Sequence, residues 1–436
     1  MARQRPAPQN NVYLRVAAAN GAIWLDLGDG DETVVKIDAT GWQLVTTDVP
    51  VLFERTALTG TMPTPQHGGN LDMLWHHLNV AEPDRPLVLA VLIAAIATPN
   101  APHVVLALLG EHGTGKTTAC KRTVELVDPS PVPLRKPPKD AESWVTAAQG
   151  SWVVGLDNLS QVPDWLSDSI CRAATGEGDV RRALYTDGGL AVFAFRRCVL
   201  LNGIDVGALR GDLADRTVRV TLDLITDERR EEDEVVEERW REAYPQLLGA
   251  LFAGVAGIAG VLSSVRLETK PRMADFAHVL AAVDQLYGTN GLTRFMDQAS
   301  AMAQDMLSAD PFLAAMGAAK LSFQGTSSQL LEDLTPTEVR RLPRDWPKNA
   351  QAVTGLLKRN APALRKAGWT VRDSPDAHSK VTEWTLISPE GGRNPYPQHP
   401  QDPQTRLLDD LCDVCGDPMV IVEPGQTTHP NCDPPG

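Results

Sequence analysis

The chain has 436 residues, with 41 Lys and Arg against 55 Asp and Glu and a formal net charge of −14. This length suggests about two to four domains, and an apolar share of 43% is that of a globular protein. The acidic balance excludes a uniformly basic coat for nucleic acid, so any DNA contact must use local patches.

Met1 to Asn10 is polar and carries prolines, without the apolar stretch of a signal peptide, so the cytoplasm is the expected compartment. Residues 11–70 read as a small β-rich module. Short strands are expected at 12–16, 22–27, 33–37 and 42–45, with Gly28-Asp29-Gly30-Asp31 as a hairpin turn. The carboxylates of that turn lack the spacing of a calcium loop. Residues 50–70 are punctuated by Pro and Gly as a loop. Leu71–Leu78 and Pro86–Thr98 read as helices leading into a larger α/β core, expected over 71–325.

The core opens with a buried strand, His103–Leu109, followed by Gly110-Glu111-His112-Gly113-Thr114-Gly115-Lys116-Thr117 and a helix over 117–127. The octapeptide fits G-x-x-x-x-G-K-[ST] at every fixed position, in the strand–loop–helix setting that gives this motif its meaning. Its glycines let backbone N–H groups face phosphate oxygens, and the helix N-terminus adds partial positive charge. Gly110, Gly113, Thr114, Gly115, Lys116, Thr117 and Thr118 are the expected contacts to ATP. Lys116 reaches the β- and γ-phosphates and Thr117 holds Mg²⁺. A short helix at 143–149 leads to a second buried strand, Ser151–Leu156, which ends in Asp157. An acid at that strand end, 41 residues after Lys116, is a Walker B arrangement and a second Mg²⁺ ligand. The next residue is Asn158, which can orient a water but cannot take its proton.

A third strand, Cys198–Leu201, ends at Asn202. There Asn serves either as an orienter of the attacking water or as the first residue of an Asn-Gly turn, and both readings hold together. Between these strands Arg181–Phe193 reads as a hairpin with Asp187-Gly188 at its tip. Arg216, in Arg210–Arg216, has two readings: a finger reaching the nucleotide of a neighbouring subunit, or an exposed partner of Asp212 or Asp215 worth little. Asp223–Glu242 reads as a charged, solvated helix. Leu247–Val265 has the length of a membrane span, but its Gly and Ala content and its place inside the core make it a buried helix. Helices over 274–286 and 291–304, ending near Leu321, complete a lid. Cys120, Cys171 and Cys198 sit among apolar residues as inert core thiols.

From Leu330 to about 388 the pattern changes to helices at 337–342 and 349–360, a continuation at 361–367 after a proline break, and strands at 369–372 and 382–387. Helix, helix, hairpin is a winged-helix order. Residues 335–380 hold ten Lys and Arg against four Asp and Glu, the reverse of the chain as a whole. Arg340, Arg341, Lys348, Lys358, Arg359, Arg365 and Lys366 are placed to meet phosphates. The competing reading is a winged helix used to dock protein. Residues 389–406 read as a flexible linker. In the tail, 407–436, Cys412-x-x-Cys415 and His429-x-x-Cys432 are separated by thirteen residues, a set that suits one tetrahedral, structural Zn²⁺. The competing reading is an unstructured tail with free thiols.

The phosphate loop, Leu156-Asp157-Asn158, the hairpin before Leu200-Leu201-Asn202-Gly203-Ile204, and Asp212–Arg216 together resemble AAA+ replication ATPases of phages and integrative elements. Those proteins are themselves similar to superfamily 3 and poxvirus-type primase-helicases. The stretch Trp165–Arg172 through Thr175-Gly176-Glu177-Gly178 to Leu184–Asp187 adds to the likeness, which covers about 11–222. Trp346–Val371 resembles the C-terminal DNA-binding domains of mobile-element primase-helicases. The resemblance implies a P-loop AAA+ core acting as a DNA helicase or translocase in the cytoplasm of a bacterial host. Subunits would form a hexameric ring, with a separate primase or polymerase. Lys116, Asp157, Asn158, Asn202 and Arg216 would carry catalysis. Arg182, Tyr185 and Thr186 of the hairpin would grip single-stranded or forked DNA. A helicase loader or ATP-gated DNA switch is the alternative, favoured by Asn158 in place of a catalytic Glu.

Overall fold

The structure, a computed structural model, describes residues 11–159, 162–177, 179–182, 190–193, 195–203, 209, 211–336, 342–375 and 382–389. Tyr185, Thr186, Arg340 and Arg341 lie outside the described residues, as do Cys412, Cys415, His429 and Cys432. The side chain of Arg182 does so as well.

The first strands are β1 (Val12–Tyr13), β2 (Val16–Ala19), β3 (Ala22–Asp26), β4 (Val34–Asp38), β5 (Gly41–Val45) and β6 (Leu52–Phe53). β2 to β5 form an antiparallel meander in chain order, while β1 pairs with β6 in parallel. Asn20 and Gly21, with φ of 53° and 73°, turn the chain between β2 and β3. This Asn-Gly pair is a strong hairpin signal, and it places the first meander strand at 16–19 instead of 12–16. The expected turn at 28–31 joins β3 to β4, where Thr33 N–H donates to Asp29 Oδ1.

The core follows: α1 (Leu74–His77), α2 (Arg85–Ala97), β7 (Val105–Leu109), α3 (Lys116–Glu125), β8 (Leu134–Arg135), α4 (Ala141–Gln149), β9 (Val153–Leu156), α5 (Asp164–Thr175), β10 (Asp179–Arg182), β11 (Leu190–Phe193), β12 (Cys198–Asn202), α6 (Gly211–Ala214) and β13 (Thr217–Thr221). Five strands form one parallel sheet in the order β13-β7-β12-β9-β8. Both faces are covered, so the inner strands β7 and β9 are apolar throughout, and β12 is so up to its terminal Asn202. On β7, Leu106 and Leu108 face the core that contains α2 and the meander, whereas Val105 and Ala107 face α4 and α5. β10 and β11 form the expected antiparallel hairpin, with Asp179 opposite Phe193 and Arg182 opposite Leu190.

The expected charged helix begins later and runs further than its composition suggests. It is the first part of α7 (Asp233–Val261), one helix of 29 residues that passes through Pro245. Leu247, Leu248, Leu251, Phe252, Val255 and Ile258 of its second half are buried against α2, α8 (Ala274–Tyr287) and the meander. The helix is long and apolar enough to cross a membrane by composition, yet 61% of its most apolar window is inside the fold.

A third core gathers α9 (Gly291–Ala309), α10 (Pro311–Ala318), β14 (Ser322–Thr326), α11 (Ser327–Leu334), α12 (Ala350–Lys366), β15 (Thr370–Pro375) and β16 (Thr382–Ile387). It draws on residues from Leu307 onward, upstream of Leu330. Its antiparallel sheet has the order β14-β16-β15. α12 continues through Pro362 without the expected break.

Candidate nucleotide-binding site

β7 delivers the loop Gly110–Gly115 to the N-terminus of α3. Gly113 and Gly115 have φ of 84° and 74°, a region that L side chains rarely adopt. A Cβ on Gly110 would lie 2.7 Å from Thr114 Oγ1. The buried Thr114 hydroxyl donates to the carbonyl of Glu111 at 2.9 Å and closes the loop from inside. Lys116, the first residue of α3, folds its ammonium back onto the loop, 2.5 Å from both Gly110 O and Glu111 O. Thr117 is exposed at the second helical position and Thr118 is half-buried beside it. Left-handed glycines before a helix N-terminus are the backbone features by which such a loop can hold a phosphate chain.

β12 lies between β7 and β9, so the acid and the amide at the ends of β9 and β12 are neighbours. Leu156 is in register with Leu201, and Asn202 Nδ2 donates to Asp157 Oδ1. Asn202 is 3% exposed, and its Oδ1 is buried without a partner among the described residues. The amide thus has one face fixed on the carboxylate and one acceptor free. α3 packs on β9 and β12. Burial pushes the Cys120 thiol of α3 far up; the Asp157 carboxylate adds to that rise and Lys116 opposes it. Both charges of the site therefore act across the first turns of this helix. The other two core thiols are buried also, and burial pushes Cys171 up to about 12. Thr117 and Asp157 are suited in donor chemistry to Mg²⁺, a hard cation that prefers oxygen ligands.

Asn158 has φ of 52°. Asn is enriched in this left-handed region, which penalises most other side chains. A Cβ on the adjacent Gly203 would lie 3.2 Å from Asn158 Cα. The turn after β9 thus supplies a backbone reason for Asn where Glu was the alternative.

Arg216 is turned inward. Its Nη1 lies 2.5 Å from Asp212 Oδ2, and its side chain is 12% exposed. Among the basic residues near the C-terminus, Lys348, Lys358 and Arg359 are exposed. Arg365 instead donates to Val371 O at 3.0 and 3.2 Å, and Lys366 pairs with Asp215 at 2.5 Å. These two engage the protein itself, because the end of α12 abuts β15 and the α6–β13 turn.

Three residues near the loop carry no motif. Asn79 Nδ2 donates to Asp223 O and lies 3.5 Å from Thr114 O. Ile225 Cδ1 would be 3.2 Å from a Cβ on Gly115, and Arg230 Nη2 2.9 Å from one on Gly113. Arg230 belongs to the charged run that reads as solvated surface, so composition points away from it.

The loop, the acid and the buried amide on a parallel sheet place the chain among α/β proteins with a phosphate-loop motif. The family described as actinomycete integrative conjugative element replication protein matches residues 71–306, more than half of the chain, and the AICE RepA C-terminal domain matches 306–396. The chain belongs to this family of mobile-element replication proteins. No curated protein matches it in sequence. Among solved structures it is similar to the apo NrS-1 C-terminal region (305–718), with 9% identity, a TM-score of 0.36, and coverage of 78% of this chain and 80% of that one. It is also similar to the JCV helicase, with 12% identity, a TM-score of 0.25, and coverage of 54% and 64%.

Proposed function

We propose that this replication protein is an ATP-dependent DNA helicase or translocase with a P-loop AAA+ core. The observation that carries the reading is the Asn202–Asp157 hydrogen bond beside the Gly110–Thr117 loop. It joins a phosphate cradle, a metal-binding acid and a water-orienting amide on adjacent strand ends. In this reading Lys116 and the loop N–H groups hold the β- and γ-phosphates. Thr117 and Asp157 hold Mg²⁺, which neutralises charge developing on the phosphoryl oxygens. Asn202, fixed by Asp157, directs the attacking water with its free acceptor. Asn158 assists by orientation, since phosphoryl transfer depends mainly on positioning and electrostatics.

Subunits would assemble as a ring, most simply a hexamer, with Arg216 exchanging Asp212 for a neighbour's nucleotide. The 183–189 tip would face DNA, and priming would fall to another protein. The order α10, β14, α11, α12, β15, β16 with sheet order β14-β16-β15 supports a C-terminal winged helix. Lys348, Lys358 and Arg359, exposed in this unit, would meet DNA. Cys412, Cys415, His429 and Cys432 would hold one structural Zn²⁺.

The test is the ATP turnover rate with and without single-stranded DNA, followed by strand displacement on a forked duplex. DNA-stimulated turnover that Lys116→Ala abolishes, together with displacement, is the expected result. A second reading, an ATP-gated loader or switch, is favoured by Asn158 in place of a carboxylate. Tight ATP binding with negligible turnover and no displacement would decide for it.

A further inference from the structure

After β13 the chain does not leave the site. Leu222 N–H donates to Leu109 O and Asp223 N–H to Asn79 O, both at 2.8 to 2.9 Å. These bonds, with the Asn79 amide on Asp223, bind residues 222–223 to the base of the phosphate loop. Ile225 then lies over Gly115, and a 3-10 turn at Asp227–Arg229 brings Arg230 back across the crown of the loop. A Cβ on Gly113 would lie 2.9 Å from Arg230 Nη2 and 4.0 Å from its Cζ, so the guanidinium leads with Nη2 against the loop.

This placement is electrostatically costly on its own. The loop already carries the Lys116 ammonium and the positive end of α3, a helix of 10 residues. The compensating acid, Asp227, is 3.5 Å from Arg230 Nη1 and 89% exposed, so its pairing is weak. Three positive elements converge on one loop in a chain of net charge −14. An anion shared among them resolves the repulsion, and the planar fork of Arg suits two phosphate oxygens at once.

We propose that Arg230 is a phosphate-clamping residue, acting in cis from the strap 222–230 on the polyphosphate held by its own loop. The proposal rests on the nucleotide-binding reading above. It assigns to the strap the outer wall of the site and couples nucleotide occupancy to the start of α7. When phosphate is bound, Arg230 exchanges Asp227 for it. The Asn79 and Ile225 contacts hold the strap close enough for that exchange to need only side-chain movement.

The experiment is calorimetric titration of the full-length protein with Mg-ATP and with Mg-ADP, for wild type, Arg230→Ala, Arg230→Lys, Arg229→Ala and Lys116→Ala. Arg230 is exposed, so its replacement leaves the core packing unchanged, and thermal melts check that directly. Arg230→Ala is expected to weaken both nucleotides by about ten- to a hundredfold, the scale of a lost charge-assisted hydrogen bond. Arg230→Lys recovers part of the loss by restoring charge without the fork, and Arg229→Ala binds as wild type. Wild-type affinity in Arg230→Ala, with binding still lost in Lys116→Ala, overturns the clamp and leaves the nucleotide site standing. An equal loss in Arg229→Ala also overturns it, by assigning the effect to general charge. If the wild type binds neither nucleotide, both readings fall together.

Discussion

Lys366, at the end of α12, forms an ion pair of 2.5 Å with Asp215, one residue before Arg216. Asp215 also meets Arg272 at 3.5 Å, and Arg272 pairs with Asp212, the partner of Arg216. One chain of alternating charges therefore runs from the basic C-terminal helix to the inward-turned arginine beside β13.

This pair gives a test of which cations meet DNA. Each phosphate contact contributes about 0.9 to the log–log salt slope of affinity for duplex DNA. Lys358→Ala and Arg359→Ala should each make that slope shallower by about this amount, because both side chains are exposed on α12. Lys366→Ala should leave the slope as in the wild type, since its ammonium is held by Asp215. Fluorescence anisotropy across a salt series measures all three. A slope reduced in Lys366→Ala as much as in Lys358→Ala would show that the pair opens on DNA.

The sequence was legible where chemistry fixes both residue type and spacing. Gly110, Lys116 and Thr117 fall at the fixed positions of a phosphate-loop motif, and the apolar run before Asp157 follows from burial on both faces of a sheet. Asn202 was legible as a strand-end amide, although its bond to Asp157 needs the interposed position of β12, which spacing does not encode. α11 carried a readable signal, the capping box of Thr326 and Gln329, but β14 before it is short and mostly polar. Pro362 looked like a break, yet α12 continues through it. Arg230 and Asn79 act through tertiary approach alone and left no periodic trace.

Arg15 is the most deeply buried charge among the described residues, at 0% exposure, and its Nε donates to Asp128 Oδ1 at 2.8 Å. It also donates to Asp26 O and Gly60 O, while Asp128 Oδ2 accepts from Trp152 and Val153 N–H at the start of β9. The pair therefore fastens the N-terminal meander to the strand that ends in Asp157. Arg15→Ala removes the cationic partner of a buried carboxylate and should cost about 3–5 kcal/mol, read as a lowered midpoint in urea. An unchanged midpoint would mean that the meander contributes nothing to the cooperative unit.

Acid should destabilise the fold well before its carboxylates titrate. His103 is buried against Trp152, with its Nε2 unpartnered. Burial, reinforced by the nearby charge of Arg196, lowers its pKa from 6.5 to about 3. Burial first, then the charges of Arg122, Arg239 and His76, lower His77 to about 4. Above pH 6.5 both histidines are neutral folded or unfolded, and their full contribution is present. Below it the unfolded chain takes up protons that the native chain refuses, so stability falls until the folded pKa values are reached. For His103 the slope approaches about 1.4 kcal/mol per pH unit. Urea unfolding at pH 7.5, 6.5, 5.5 and 4.5 measures it, and His103→Gln should flatten it by up to one proton. Identical slopes for the variant and the wild type would remove His103 from this account.

Asn158 offers the sharpest separation of backbone from chemistry. Its φ of 52° makes the position left-handed whatever its side chain does. Asn158→Gly removes the amide at little conformational cost, whereas Asn158→Ala removes the same amide and adds strain of about 1–2 kcal/mol. If the amide orients water, both variants lose the same share of turnover at saturating ATP while only Ala lowers the melting temperature. If Asn serves only the turn, Gly retains wild-type turnover. Asn158→Glu then becomes interpretable. Glu carries the same backbone strain as Ala, so any gain in turnover over the Ala variant belongs to the carboxylate, and its stability should match Ala's. Turnover equal to Ala's would place the activating groups elsewhere, with Asn202 the remaining orienter beside Asp157.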